Sequence, residues 1–142
     1  MKVSECMSDG VEICSPDDTI RDIARTMREI DVGAMPVGED DRLVGMITDR
    51  DIAIRAIAEG MGPETRVRQV MSQHVRWCYE DEEIDDVADQ MAEFKVRRLP
   101  VLNRDKRLIG VISLGDVSLA DGMSSGRALH EISEPGGMHS QH

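Results

Sequence analysis

The sequence is written twice. Pro36 and Pro100 stand 64 residues apart, and so do Met7 and Met71, Cys14 and Cys78, Ile20 and Ile84, and Met27 and Met91. Self-similarity at a fixed period constrains a fold strongly, because each copy must build the same supersecondary unit. Within the period, Val32-Gly33-Ala34-Met35-Pro36-Val37 answers to Val96-Arg97-Arg98-Leu99-Pro100-Val101. The apolar skeleton is shared and the chemistry is not: Gly33-Ala34 becomes Arg97-Arg98. A difference laid over a common skeleton marks where function can lie.

Each copy opens with a matching lead-in, Val3-Ser4-Glu5-Cys6-Met7 and Val67-Arg68-Gln69-Val70-Met71. Alternation then predicts short strands at Val11-Glu12-Ile13-Cys14 and Val75-Arg76-Trp77-Cys78. Ile20, Ile23, Ala24, Met27 and Ile30 recur at helical spacing and predict one apolar face. Ile84, Val87, Ala88, Met91 and Phe94 do the same in the second copy. Strands follow at Val32 to Val37 with Leu43 to Ile47, and at Val96 to Leu102 with Leu108 to Ile112. Thr48-Asp49-Arg50-Asp51 and Ser113-Leu114-Gly115-Asp116 open the closing helices. The second hairpin turn gains one residue, so Gly45 aligns with Gly110; surface loops tolerate such gains.

Each copy is therefore β-α-β-β-α. One such unit leaves a sheet face uncovered. Two units cover each other by packing sheet to sheet about a pseudo-twofold, which predicts a single α/β module. We divide the chain into repeat 1 (residues 1–60), a linker (61–66), repeat 2 (67–122) and a C-terminal extension (123–142), whose end is expected to be mobile.

Charge narrows the function. A net charge of −11 opposes non-specific binding to nucleic acid, which requires cations against phosphates. Against that background Lys95, Arg97, Arg98, Arg104, Lys106 and Arg107 fall in one segment. Such a cluster suits a small anion, or an ordinary solvated turn. No run reaches the roughly 18 apolar residues that span a membrane. The start, Met1-Lys2-Val3-Ser4-Glu5, has no apolar signal region. Three cysteines, an odd number, suit a reducing cytosol. No glycine-rich phosphate loop or nucleophile elbow is present, so the reading is of a non-enzyme.

These residues resemble a known family. The repeated β-α-β-β-α pattern, the Met-Pro-Val and Leu-Pro-Val strands, and the Gly-Met-Ile-Thr-Asp-Arg-Asp and Gly-Val-Ile-Ser-Leu-Gly-Asp segments are similar to tandem cystathionine-β-synthase (CBS) domains. The resemblance covers about Met1 to Asp121 and implies a stand-alone CBS pair. It implies two clefts for adenine nucleotides (AMP, ADP or ATP) or adenosyl compounds as regulatory ligands, with no cofactor required. It also implies a disc-shaped homodimer, energy sensing, and a regulated partner protein.

The resemblance directs attention to Thr48 with Asp51 and to Ser113 with Asp116. A carboxylate can accept both hydroxyls of a ribose. A hydroxyl and N–H groups at a helix start suit a phosphate or ribose oxygen. The same spacing is close to a capping box, and the two roles are compatible. Arg97 and Arg98 are the phosphate candidates. Ala34 stands where Arg98 does, so the clefts are expected to be unequal. The resemblance places Ile13, Cys14, Trp77 and Cys78, with Met35, Pro36, Leu99 and Pro100, near the adenine. Trp77 could stack on a base or cover the core edge.

A second reading is a stress-related interaction, redox or metal-binding protein with no nucleotide ligand. Cys14 and Cys78 would be its redox pair, or two small buried residues. His130, His139 and His142 are too scattered for a preformed metal site, and no C-x-x-C or H-x-x-x-H spacing occurs.

Overall fold

A computed structural model describes residues 1–7 and 12–120. The chain forms two α/β units. The first is Glu12–Val75, and the second joins residues 1–7 to residues 76–120.

In the first unit, helix α2 (Ile20–Ile30) starts where the Thr19 hydroxyl accepts from the Asp22 amide and ends at Asp31, in the left-handed region at φ 56°. Strands β1 (Ala34–Glu39) and β2 (Arg42–Thr48) pair antiparallel, Ala34 opposite Thr48. Asp40 and Asp41 both have positive φ, as a two-residue hairpin turn that follows the strand twist requires. A turn of π-type helix, Asp51–Ile57, closes the unit. Its wide hydrogen bonding continues from the Ala58 amide to the Ala53 carbonyl at 2.9 Å.

The second unit repeats this order. Helix α3 (Ile84–Phe94) ends at Lys95, also at φ 56°. Strands β3 (Cys78–Tyr79), β4 (Arg98–Leu102) and β5 (Leu108–Ser113) form one sheet in the order β3-β4-β5, followed by α4 (Leu114–Ala120). The extra turn residue is absorbed by Asn103, whose side-chain oxygen accepts from the amides of Asp105 and Arg107, both at 3.0 Å.

The first strands are shorter than alternation suggests. Cys14 makes a single parallel bridge to Val37, and β3 spans Cys78–Tyr79, with Cys78 opposite Val101. Val11 and the residues from 121 onward, including His130, His139 and His142, lie outside the described residues. The apolar face of α2 is also narrower than its spacing predicts. Ile20, Ile23 and Met27 are buried, whereas Ala24 and Ile30 are exposed.

The lead-ins do not pack where they stand in sequence. Helix α1 (Val3–Cys6) belongs to the second unit, and Val3 is fully buried in its core with Cys78, Ile84 and Leu99. Its amide donates to the Glu82 carbonyl at 2.9 Å. Reciprocally, Val67, Val70 and Met71 fill the first unit's core with Ile20, Val37 and Ile47, and the Val67 amide donates to the Asp18 carbonyl at 2.9 Å. Each repeat lends its opening segment to the other.

At the first unit's lead-in, Met46 and Ser72 exchange backbone hydrogen bonds of 3.0 and 2.9 Å. A Cβ on the adjacent Gly45 would lie 2.6 Å from the Ser72 carbonyl oxygen and 2.9 Å from Met71 Sδ. Gly45→Ala should therefore lower stability by roughly 1–3 kcal/mol, seen as a lower urea midpoint. An unchanged midpoint would show that the lead-in can withdraw at no cost.

Candidate functional site

In both units the last strand runs directly into the closing helix, and this joint carries the hydroxyl and carboxylate singled out in the sequence. The Thr48 amide donates to Asp51 Oδ2 at 3.0 Å, and the Asp51 amide donates to Thr48 Oγ1 at 3.0 Å. The Ser113 amide donates to Asp116 Oδ2 at 2.9 Å, and the Asp116 amide donates to Ser113 Oγ at 3.1 Å. Each pair is a reciprocal capping box. These four amides are thereby engaged within the caps. The cap occupies one oxygen of each carboxylate. Asp51 Oδ1 lies 3.8 Å from Arg55 Nη1, one turn further on. A hydroxyl that accepts one bond keeps its proton to donate.

Strand register brings Arg98 directly opposite Ser113, where the first unit sets Ala34 opposite Thr48. A guanidinium thus stands beside one hydroxyl–carboxylate pair and a methyl group beside the other. Burial pulls the pKa of half-buried Arg98 below the ordinary arginine value, and Asp116 opposes that pull. The group remains cationic at physiological pH. Arg97 precedes β4, so strand alternation does not govern it. Its carbonyl accepts from the Leu114 amide at 2.7 Å.

The remaining candidates divide between frame and surface. Cys14 and Met35 lie in the first unit's core, and Cys78 and Leu99 in the second unit's core. Pro36 and Pro100 are buried. Ile13 is 41% exposed. Trp77 meets Tyr79 edge-on, with centroids 4.9 Å apart and planes at 85°. Lys106 Nζ lies 5.2 Å from the Trp77 ring centroid. Trp77 is partly buried beside these two side chains.

The basic cluster read in the sequence is likewise divided. Arg104 grips Asp81 through two hydrogen bonds of 2.8 Å and lies 3.9 Å from the Tyr79 ring centroid. Arg104 and Lys106 are engaged with aromatic rings, and Arg97 and Arg98 stand at the strand–helix joint of the second unit.

Sequence reasoning passed over Asp49. Its Oδ1 is buried and makes no hydrogen bond among the described residues, a property it shares only with Nε of Arg97. Alignment of the copies holds a signal for it: Asp49 falls opposite Leu114, an acid against an apolar residue, as Gly33 falls opposite Arg97.

A groove of about 280 Å³ lies elsewhere, on the outer face of α2, lined by Ile20, Ala24, Ile52 and Ile57 with Arg21, Arg25 and Arg28. Among the described residues no group of three or more His, Cys, Asp or Glu side chains could hold a metal ion. No described helix is long and apolar enough to cross a membrane.

The CBS domain family model matches residues 3–57 and 67–121. A CBS domain-containing protein of Bacillus subtilis, YhcV, is 38% identical over 133 residues, covering 92% of this chain and 94% of its own. The crystal structure of Hypoxic Response Protein I with two coordinated zinc ions superposes with a TM-score of 0.76 at 34% identity, covering 84% of this chain and 98% of that one. CBSX2 in complex with AMP gives 0.75 at 25% identity, covering 86% and 96%. The CBS domain pair of MJ0100 in complex with 5′-methylthioadenosine and S-adenosyl-L-methionine gives 0.74 at 25%, covering 87% and 97%.

Burial pushes the thiols of Cys14 and Cys78 up to about 12 from 9.0, with Asp18 and Glu82 respectively adding to the shift. The unfolded chain therefore ionises first as pH rises. The thiols' contribution is complete below pH 9 and is lost between pH 9 and 12, at up to about 1.4 kcal/mol per pH unit for each. Urea unfolding at pH 8 and 10.5 should show an alkaline loss that is much smaller in Cys14→Ala/Cys78→Ala. Equal losses would show that other groups set the alkaline limit.

Proposed function

The chain belongs to the CBS domain family, and on that premise we propose that it is a cytoplasmic regulatory module, not an enzyme. It binds adenine nucleotides or adenosyl compounds and modulates a partner protein. The observation that carries this reading is the reciprocal hydroxyl–carboxylate pair at the same joint of both units. The cap orders each carboxylate through Oδ2 and leaves Oδ1 outside the capping pair. A ribose hydroxyl donating to that oxygen makes a charge-assisted hydrogen bond to a group already held in place. In the second unit, Arg98 opposite Ser113 supplies a cation for a phosphate.

Ligands found in related structures support the same class, since one neighbour holds AMP and another holds 5′-methylthioadenosine and S-adenosyl-L-methionine. Signalling follows from a difference in ligand affinity between two arrangements of the module.

Thermal unfolding with AMP, ADP, ATP, S-adenosylmethionine and NAD tests this. A ligand specific to the folded state adds about 2.7 kcal/mol at a hundredfold excess over its Kd. Asp51→Asn and Asp116→Asn keep a capping oxygen and remove the charge, so they should reduce the ligand-induced shift while leaving the ligand-free protein folded. No shift with any ligand would leave capping as the whole role of both residues.

A homodimer completes the reading. Ile57, which lines the α2 groove, is 57% exposed and Ile54 is 50% exposed, and Ala24 and Ile30 are exposed on α2 itself. An exposed apolar surface of this kind suits burial against a second copy. Ile57→Asp should shift the sedimentation coefficient toward that of a monomer; an unchanged value would place the dimer contact elsewhere or show that there is none.

A further inference from the structure

The long helices of the two repeats agree in their buried positions and reverse their exposed charge. On α2, Arg21, Arg25 and Arg28 are exposed in one stripe at helical spacing. The equivalent positions on α3 are Asp85, Asp89 and Ala92, and both aspartates are exposed. Helix α3 carries Asp85, Asp86, Asp89 and Glu93 and no basic residue. Arg21 is paired with Glu64, while Arg25 and Arg28 make no ion pair among the described residues.

The apolar surroundings of the two stripes also correspond. Ile54 and Leu119 hold equivalent places on the closing helices, and they are 50% and 92% exposed. The relief differs. In the first unit, exposed Ala24 lines the groove of about 280 Å³ with Ile52 and Ile57. In the second unit, the matching Ala88 and Val117 are buried, and Leu119 projects from α4, which packs on α3. One face is an apolar groove edged by arginines. The other offers an exposed leucine and a row of acids.

A contact between like faces would bring arginine stripe against arginine stripe, or aspartates against aspartates. At a net charge of −11 two copies already repel at long range, so their attraction has to come from local contacts. We propose that two copies of this chain pair through unlike faces, the α2 face of one against the α3–α4 face of the other. Leu119 of one copy fills the α2 groove of the second copy, and Asp85 and Asp89 lie against Arg25 and Arg28. Like-charge repulsion excludes the like-faced arrangement. A contact of this kind joins different surfaces of the two copies, and each copy presents both of them. The proposal rests on the homodimer reading above and assigns the faces that meet.

Sedimentation equilibrium on the full chain tests it, with Arg25→Glu, Asp89→Lys and the chain carrying both changes. Each single change sets like charges against each other and should raise the dimer Kd roughly tenfold or more. The two together restore opposite charges and should bring the Kd back to near the parent value. Leu119→Ser should also weaken the dimer. All three positions are exposed, so far-UV circular dichroism should match the parent throughout. In a like-faced dimer each reversal would exchange one repulsion for another. Unchanged Kd values for both single variants would therefore overturn the unlike pairing and leave the homodimer standing, and so would two weakened variants with no rescue in the combination. A parent chain that stays monomeric at every concentration would overturn the homodimer reading and this pairing with it.

Discussion

Both cores depend on a segment lent by the other repeat. Val3 closes the core built by residues 76–120, and Val67 closes the core built by Glu12–Val75. The backbone bonds are the same in each case: the Val3 amide to Glu82 and the Val67 amide to Asp18, the Ser4 amide to Glu80 and the Arg68 amide to Pro16. The opening lead-in must therefore reach across the whole first repeat before its apolar side chains are buried. That closure costs chain entropy in advance of any contact, and such non-local contacts slow folding. In return, the second unit has no complete core until the chain's opening segment is in place. Two repeats linked in this way are coupled through their connectivity.

On this shared frame the backbone is constant and the side chains diverge. The joint between the last strand and the closing helix keeps its capping box and its backbone hydrogen bond in both units. Gly33 against Arg97, Ala34 against Arg98 and Asp49 against Leu114 are the substitutions made there. Capping supplies the stability and the geometry, so the neighbouring positions are released to carry charge.

The repeat, the element order and the Thr/Ser-x-x-Asp joints were legible because each leaves a periodic or spacing signal. The exchange of lead-ins was not. Val3 and Val67 have the same surroundings whether they pack onto their own copy or the other, so a 64-residue period cannot tell the two arrangements apart. The exposure of Ala24 and Ile30 was hidden for a related reason: helical spacing defines an apolar face but not what covers it. Cys14 and Cys78 were legible as equivalents, and their burial decides their chemistry, since thiols pushed up to about 12 carry little thiolate at neutral pH. Asp49 was obscured by its neighbours, because Thr-x-x-Asp draws the eye to the capping pair and leaves the residue between them as filler.

The ligand role proposed for Asp51 and Asp116 draws on the capping they already perform. Ordering a flexible carboxylate to receive a ribose is a cost of binding. Here that ordering is already accomplished by the Thr48 and Ser113 amides, so the interaction with a ligand is less diminished by entropy. Arg97 works the other way. An Arg97 Nε cut off from water is a cost borne by the folded protein. The cap thus fixes each carboxylate before any ligand arrives, and a ligand held only by the folded state would stabilise it by mass action.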